Sequence, residues 1–156
     1  MRAFVLISLA LALSACSGTN PCAGDGALAA CSEPTQTDAY YVDQALRYFD
    51  SYDASADPGS RPTYAEGVLR WEWPPWLLLT ASGRDLIEAV DRVVLLATPS
   101  TVPTRDCRAF GEQPFARCRV SFQYEGGPCA IYEEFTFNDA GEITFIEAWS
   151  DQPGYL

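Results

Sequence analysis

The chain has 156 residues, with 21 acidic side chains against 10 basic, no histidine and six cysteines. A formal net charge of −11 argues against a nucleic-acid partner and against charge-driven adhesion to anionic headgroups. Without histidine, a histidine-based triad and a histidine-containing zinc site are excluded, and neither a metal nor a cofactor is expected.

The chain opens Met1-Arg2 and continues as an apolar run from Ala3 to Leu13. That run is shorter than the roughly 20 residues needed to span a bilayer, and it reads as a secretory signal. It ends in Leu13-Ser14-Ala15-Cys16. These four residues resemble the bacterial lipobox, whose cysteine is diacylated before cleavage on its N-terminal side. The resemblance implies a signal peptide at 1–15 and a lipoprotein whose membrane partner is reached through a lipid on Cys16. The alternative is an ordinary cleaved signal with Cys16 unmodified. Several acyl chains on one residue anchor stably, each buried CH2 contributing about 0.8 kcal/mol. Ser17, not Asp, follows the cysteine. This implies a cell-envelope location, at the outer membrane if the host is Gram-negative.

Residues 16–36 are small and polar and read as a flexible lipidated tether reaching roughly 25 Å. The folded domain is expected over 37–152. An exported compartment allows disulfides. Cys22 and Cys31 are expected to close a small loop in the tether.

Thr37-Asp38 is a helix cap, and Val42, Ala45, Leu46 and Phe49 follow at helical spacing to about Asp53. Tyr41, Tyr48 and Tyr52 form an adjoining stripe. Residues 54–62 are a breaker-rich loop. Tyr64 to Trp73 fits a short helix or a strand, and Pro74-Pro75 end either one. Ser82-Gly83-Arg84-Asp85 resembles a capping box. It opens a second helix with the apolar face Leu86, Ile87, Val90, Val93 and Val94, ending before Pro99.

Beyond Pro103 the period becomes two. Strands are expected at 105–110, around 118–124, at 129–137 and at 142–149, with turns at 111–114, 126–128 and 138–141. A turn centred on Glu112 and Gln113 sets Cys107 opposite Cys118, so a cross-strand disulfide is plausible. With Cys16 lipidated the other cysteines are odd in number, and Cys129 is the one expected to remain a buried thiol.

Helices followed by a strand meander make an α+β pattern. Within it, the string from Tyr64 to Trp73, then Gly83-Arg84-Asp85-Leu86-Ile87, resembles the middle of the nuclear-transport-factor-2-like superfamily. Val120 to Gly126 adds to this, and Glu134 to Ile143 resembles its closing hairpin. The resemblance implies a cone: a curved antiparallel sheet wrapped around N-terminal helices, with a pocket at its open end. SnoaL-like polyketide cyclases, steroid delta-isomerases, limonene epoxide hydrolases and non-catalytic binding domains share that cone, so fold alone does not give function.

Set against the steroid delta-isomerases, the oxyanion-donating tyrosine falls on Tyr48 and the strand acid on Glu133. Ile131, Glu133, Phe135 and Phe137 share one strand face. A carboxyl among those side chains would stay neutral and donate a hydrogen bond. Alternatively, Glu133 reaches an edge or pairs with Arg117 or Arg119. The general-base position falls on Trp73, which cannot accept a proton. Glu72 is one residue away, on the opposite strand face, and Asp50 is another candidate base. No spacing singles out the Asp-Arg-Asp relay of the epoxide hydrolases.

Tyr48, Tyr64, Trp71, Trp73 and Trp76 suit either a stacking wall for an apolar or aromatic small molecule or core packing. Phe122 and Phe135 are expected in the same pocket. The apolar run Trp76-Leu77-Leu78-Leu79 is expected to cover the pocket or to meet a second subunit in a homodimer, with lipid contact the further alternative.

The leading expectation is a lipid-anchored, non-catalytic binding or accessory module of the envelope. The alternatives are a pocket enzyme of isomerase or cyclase type using Tyr48 and Glu133, and a protein–protein interaction domain. Cys16→Ser is expected to abolish acyl labelling and release the protein from membranes. Metabolic labelling with a fatty acid and membrane fractionation check this; a wild type without label overturns it.

Overall fold

The computed structural model describes residues 33–57, 59–73 and 79–151. The expected signal, Cys16, Cys22, Cys31 and Trp76 lie outside the described residues.

The first helix, α1, spans Asp38–Asp50. Thr37 caps it in an extended conformation, its hydroxyl accepting the Tyr40 N–H at 3.3 Å, and Asp38 complements the positive helix end. Tyr41, Ala45, Tyr48 and Phe49 are buried along one face. The helix stops short of the predicted Asp53 because the Ser51 N–H and hydroxyl both turn back onto the Tyr48 carbonyl.

Tyr64–Trp73 is a strand, β1, and the chain continues through β2 (Ala81–Ser82), α2 (Arg84–Ala97), β3 (Thr101–Phe110), β4 (Gln113–Tyr124), β5 (Gly127–Phe137) and β6 (Ile143–Asp151). The strands form one curved, open sheet in the order β2-β1-β6-β5-β4-β3. With the two helices of the described residues this is the expected α+β cone. The sheet is not wholly antiparallel: β1 runs parallel to β6, a pairing that needs a long crossover, supplied by the chain from β2 to β5.

Period-two alternation builds the core. Ala116, Cys118, Val120 and Phe122 of β4 and Ile131, Phe135 and Phe137 of β5 are buried together with the α1 stripe. Cys107 pairs with Cys118 in register and the disulfide is formed, with Cα atoms 4.1 Å apart. The turn itself sits at Gly111-Glu112, one residue earlier than predicted, and an irregularity between Ala109 and Phe110 absorbs the difference. Cys129 is buried.

At the 138–142 turn, Asn138 Oδ1 accepts from the N–H groups of Ala140 and Glu142. Gly141 has φ +78°, and a Cβ there would stand 2.8 Å from the Tyr40 ring, so only glycine fits. Thr35 and Gln36 are held at this end of the domain: both N–H groups donate to the Tyr41 hydroxyl at 3.1 Å, and the Thr35 hydroxyl donates to the Asp139 carbonyl.

The second helix departs from its sequence pattern. Ser82 belongs to β2, and Gly83 caps α2 without a side-chain bond, so the expected capping box does not form. Of the expected apolar face, Ile87 is buried whereas Leu86 and Val93 are exposed, along with Leu96. The other fully buried side chain of α2 is Asp91, drawn inward by Arg70 of β1. Arg70 is completely buried, and its Nη1 lies 2.5 Å from Asp91 Oδ1. Its Nε donates to the Leu79 carbonyl at 2.9 Å. The Tyr52 hydroxyl joins the pair, donating to Asp91 and accepting from Arg70.

Breaking a buried ion pair leaves an uncompensated charge, which costs about 3–5 kcal/mol. Asp91→Ala is expected to lose stability in that range by urea denaturation. The double substitution Arg70→Leu with Asp91→Leu is expected to recover part of the loss.

Candidate functional site

The strand registers place five inward-facing side chains in one row across the sheet. Glu72 of β1 lies beside Ala148 of β6, then Glu133 of β5, Cys118 of β4 and Cys107 of β3. Two carboxyl groups therefore share this row, on strands two spacings apart, about 10 Å between backbones. The methyl of Ala148 is the only side chain between them in the row. Glu133 is 3% exposed and Glu72 is 4% exposed.

Two expectations are corrected here. Glu133 neither reaches an edge nor pairs with Arg117 or Arg119. Arg117 bonds Glu134 at 2.6 Å on the opposite face, and Glu133 Oε2 is buried without a partner among the described residues. The base position also shifts by one. Val68, Arg70 and Glu72 face inward, while Trp71 and Trp73 are 41% and 39% exposed on the other face. The cause is the buried pairing of Arg70 with Asp91, which fixes the inward face of β1 so that Glu72 lies inside and Trp73 outside. Trp71 and Trp73 are therefore not part of an interior ligand wall.

Of the other predicted ligand-binding residues, Tyr48, Phe122 and Phe135 gather in the interior with Glu133. The Tyr48 ring packs edge-on against Phe135 at 5.1 Å and Tyr52 at 5.3 Å, and its hydroxyl donates weakly to the Tyr52 hydroxyl at 3.5 Å. Phe122 stacks on Tyr124 at 5.9 Å. Tyr64 is also buried. Asp50 is not a base for this interior, since with Asp53 it binds Arg105, where β3 meets α1.

A cavity of about 700 Å³ opens at the end of the sheet beside the β4–β5 turn. Its walls include Glu72, Leu79, Val94, Tyr124, Ile131 and Ser150. Glu72 Oε1 accepts from the Ser150 hydroxyl at 3.1 Å. The wall is largely apolar, and Glu72 is the carboxyl that joins the cavity to the buried row. Sequence reasoning missed Arg70, Asp91, Ser150 and Tyr124 as parts of this region. One signal was available: Asp91 interrupts the apolar periodicity of α2.

Burial pushes the Glu133 carboxyl well above the usual carboxylate range, and the neighbouring Glu72 charge adds to the shift, against the Arg70 charge and the nearby Tyr48 hydroxyl. Burial also raises Glu72, opposed by its bond from Ser150 and by the Arg70 charge. Arg70 stays charged: burial works against its cation, but Tyr48, Tyr52 and Asp91 more than compensate. Since neighbouring carboxylates disfavour double ionisation, the arrangement suits Glu133 as the protonated donor and Glu72 as the acceptor nearer the cavity.

No family model and no curated protein matches the chain. Solved structures do. A protein of unknown function with a cystatin-like fold from Methylobium petroleophilum superposes with a TM-score of 0.67 at 16% identity, over 78% of this chain and 82% of the other. A proposed isomerase of the SnoaL-like family from Agrobacterium tumefaciens gives 0.55 at 17% identity, over 73% and 99%. A proposed ketosteroid isomerase from Kribbella flavida gives 0.57 at 15% identity, over 76% and 83%. Such distant likeness defines the fold alone: a SnoaL-like, nuclear-transport-factor-2-like cone.

A carboxyl whose folded pKa lies above its unfolded value binds a proton on folding. Its contribution to stability is complete below the unfolded value of 4.5 and declines as pH rises toward the folded value. Stability is therefore expected to fall as pH rises above 4.5. Glu133→Gln should flatten that decline, and adding Glu72→Gln should flatten it further. Urea midpoints across the range check this; an unchanged slope in Glu133→Gln refutes the assignment.

Proposed function

We propose that this chain is an envelope lipoprotein, held at a membrane by a lipid on Cys16. Its cone domain binds a small, largely apolar molecule in the cavity beside α2, with Glu72 as the polar anchor. One observation carries the binding reading: an apolar-walled cavity of about 700 Å³ whose wall includes a mostly buried carboxylate. That size suits a small-molecule ligand, and a few placed polar groups in an apolar wall are what orient one. A ligand N–H or O–H would meet Glu72. The lipobox-like residues before Cys16 support the anchor.

A second reading is favoured by the inward position of Glu72. With Glu72 as base and Glu133 as protonated donor, flanking Ala148, the site has the two groups needed to move a proton next to a carbonyl. In that case burial and the Glu72 charge keep Glu133 protonated, against Arg70 and Tyr48.

Native mass spectrometry of protein extracted from membranes is expected to show a co-purifying small molecule. Removing one charged hydrogen-bond partner should weaken its binding by about tenfold or more in Glu72→Gln. Hydrogen–deuterium exchange beside the carbonyl of a bound ketone tests the second reading. Exchange that falls by about 10²–10⁴ in Glu133→Gln supports catalysis. Exchange no faster than solvent leaves a binding module, and absence of any ligand overturns both readings.

A further inference from the structure

The outward face of the same strands carries a second site, unrelated to the cavity beside α2. The register sets Arg108 of β3 directly opposite Arg117 of β4, and Asp106 opposite Arg119. Tyr132 of β5 lies beside Arg119. These residues and Phe110 line a cleft of about 350 Å³. In a chain with 10 basic residues in all, three guanidinium groups thus converge on one cleft.

Charge compensation in the cleft is incomplete. Like charges directly opposite one another across a strand pair destabilise a sheet, yet Arg108 and Arg117 occupy such a pair. Glu134 neutralises Arg117. Asp106 approaches Arg108 only to 3.7 Å, and Arg119 is exposed and forms no ion pair among the described residues. Arg117 is held as a platform: its guanidinium carbon lies 4.9 Å from the Phe110 ring centre, 5.4 Å from Tyr132 and 5.8 Å from Phe115. Its Nε is buried with no acceptor among the described residues. An unpaired cation, a cross-strand arginine pair and flanking rings together match one kind of ligand.

We infer that this cleft binds an oxyanion, phosphate or carboxylate, carried on an aromatic ring. The anion engages Arg108 and Arg119, and the ring stacks on the Arg117, Phe110 and Tyr132 surface. Asp106 works against the anion.

The probe is phenyl phosphate, titrated into the full chain by calorimetry, with nuclear magnetic resonance to locate it. Saturable binding is expected, with shifts at Arg108, Arg119 and Tyr132. Arg108→Gln and Arg119→Gln, both at exposed positions, should each weaken it by about tenfold, the loss of one charge-assisted contact. Asp106→Asn should tighten it by about threefold, because a like charge is removed, an effect that mere structural damage would not produce. Benzoate in place of phenyl phosphate tells whether a carboxylate serves as well, and either anion satisfies the inference. It is overturned by absence of saturation, by wild-type affinity in both arginine variants, by shifts confined to Tyr124 and Ile131, or by inorganic phosphate binding as tightly as phenyl phosphate.

Discussion

The ion pair between Arg70 and Asp91, with the Tyr52 hydroxyl between them, holds the interior in register. It joins β1, α2 and the segment just past α1 at one fully buried point. A buried guanidinium cannot be left without its carboxylate except at a cost of several kcal/mol, so β1 cannot slip by one residue. With Arg70 inside, strand alternation puts Glu72 inside and sends Trp71 and Trp73 out. The same pair explains the exposed apolar residues of α2. The helix is rotated to aim Asp91 at Arg70, which leaves Leu86, Val93 and Leu96 outside.

The chemistry of the interior follows from that register. Glu72 and Glu133 come to flank Ala148, where a larger side chain would fill the space between them. Burial and mutual repulsion raise Glu133 well above the usual carboxylate range, while burial raises Glu72 against its bond from Ser150 and the Arg70 charge. The difference in environment, rather than in residue type, separates a donor from an acceptor. Next in the row, the Cys107–Cys118 disulfide ties β3 to β4 beside Glu133. Closing a short loop of this kind typically contributes about 3 kcal/mol.

The two faces of the sheet divide the labour. On β4, Cys118, Val120 and Phe122 turn inward while Arg117 and Arg119 turn outward. On β5, Glu133 is inside and Tyr132 and Glu134 are outside. Adjacent residues of one strand thus serve a low-dielectric interior and a solvated arginine–aromatic cleft. A shift by one residue would exchange the two sets and strand the charges in the core.

The sequence by itself determined the α+β class, the α1 stripe, the hairpins and the Cys107–Cys118 pairing. Each rests on local periodicity or turn chemistry that few tertiary contacts can override. Only the tertiary structure decided the faces of β1 and α2, and with them the cavity wall. In Arg70-Trp71-Glu72-Trp73, charged and aromatic residues alternate, so hydrophobicity does not rank one face above the other. The decision falls to Asp91, 21 residues away, and no local pattern encodes a contact at that distance.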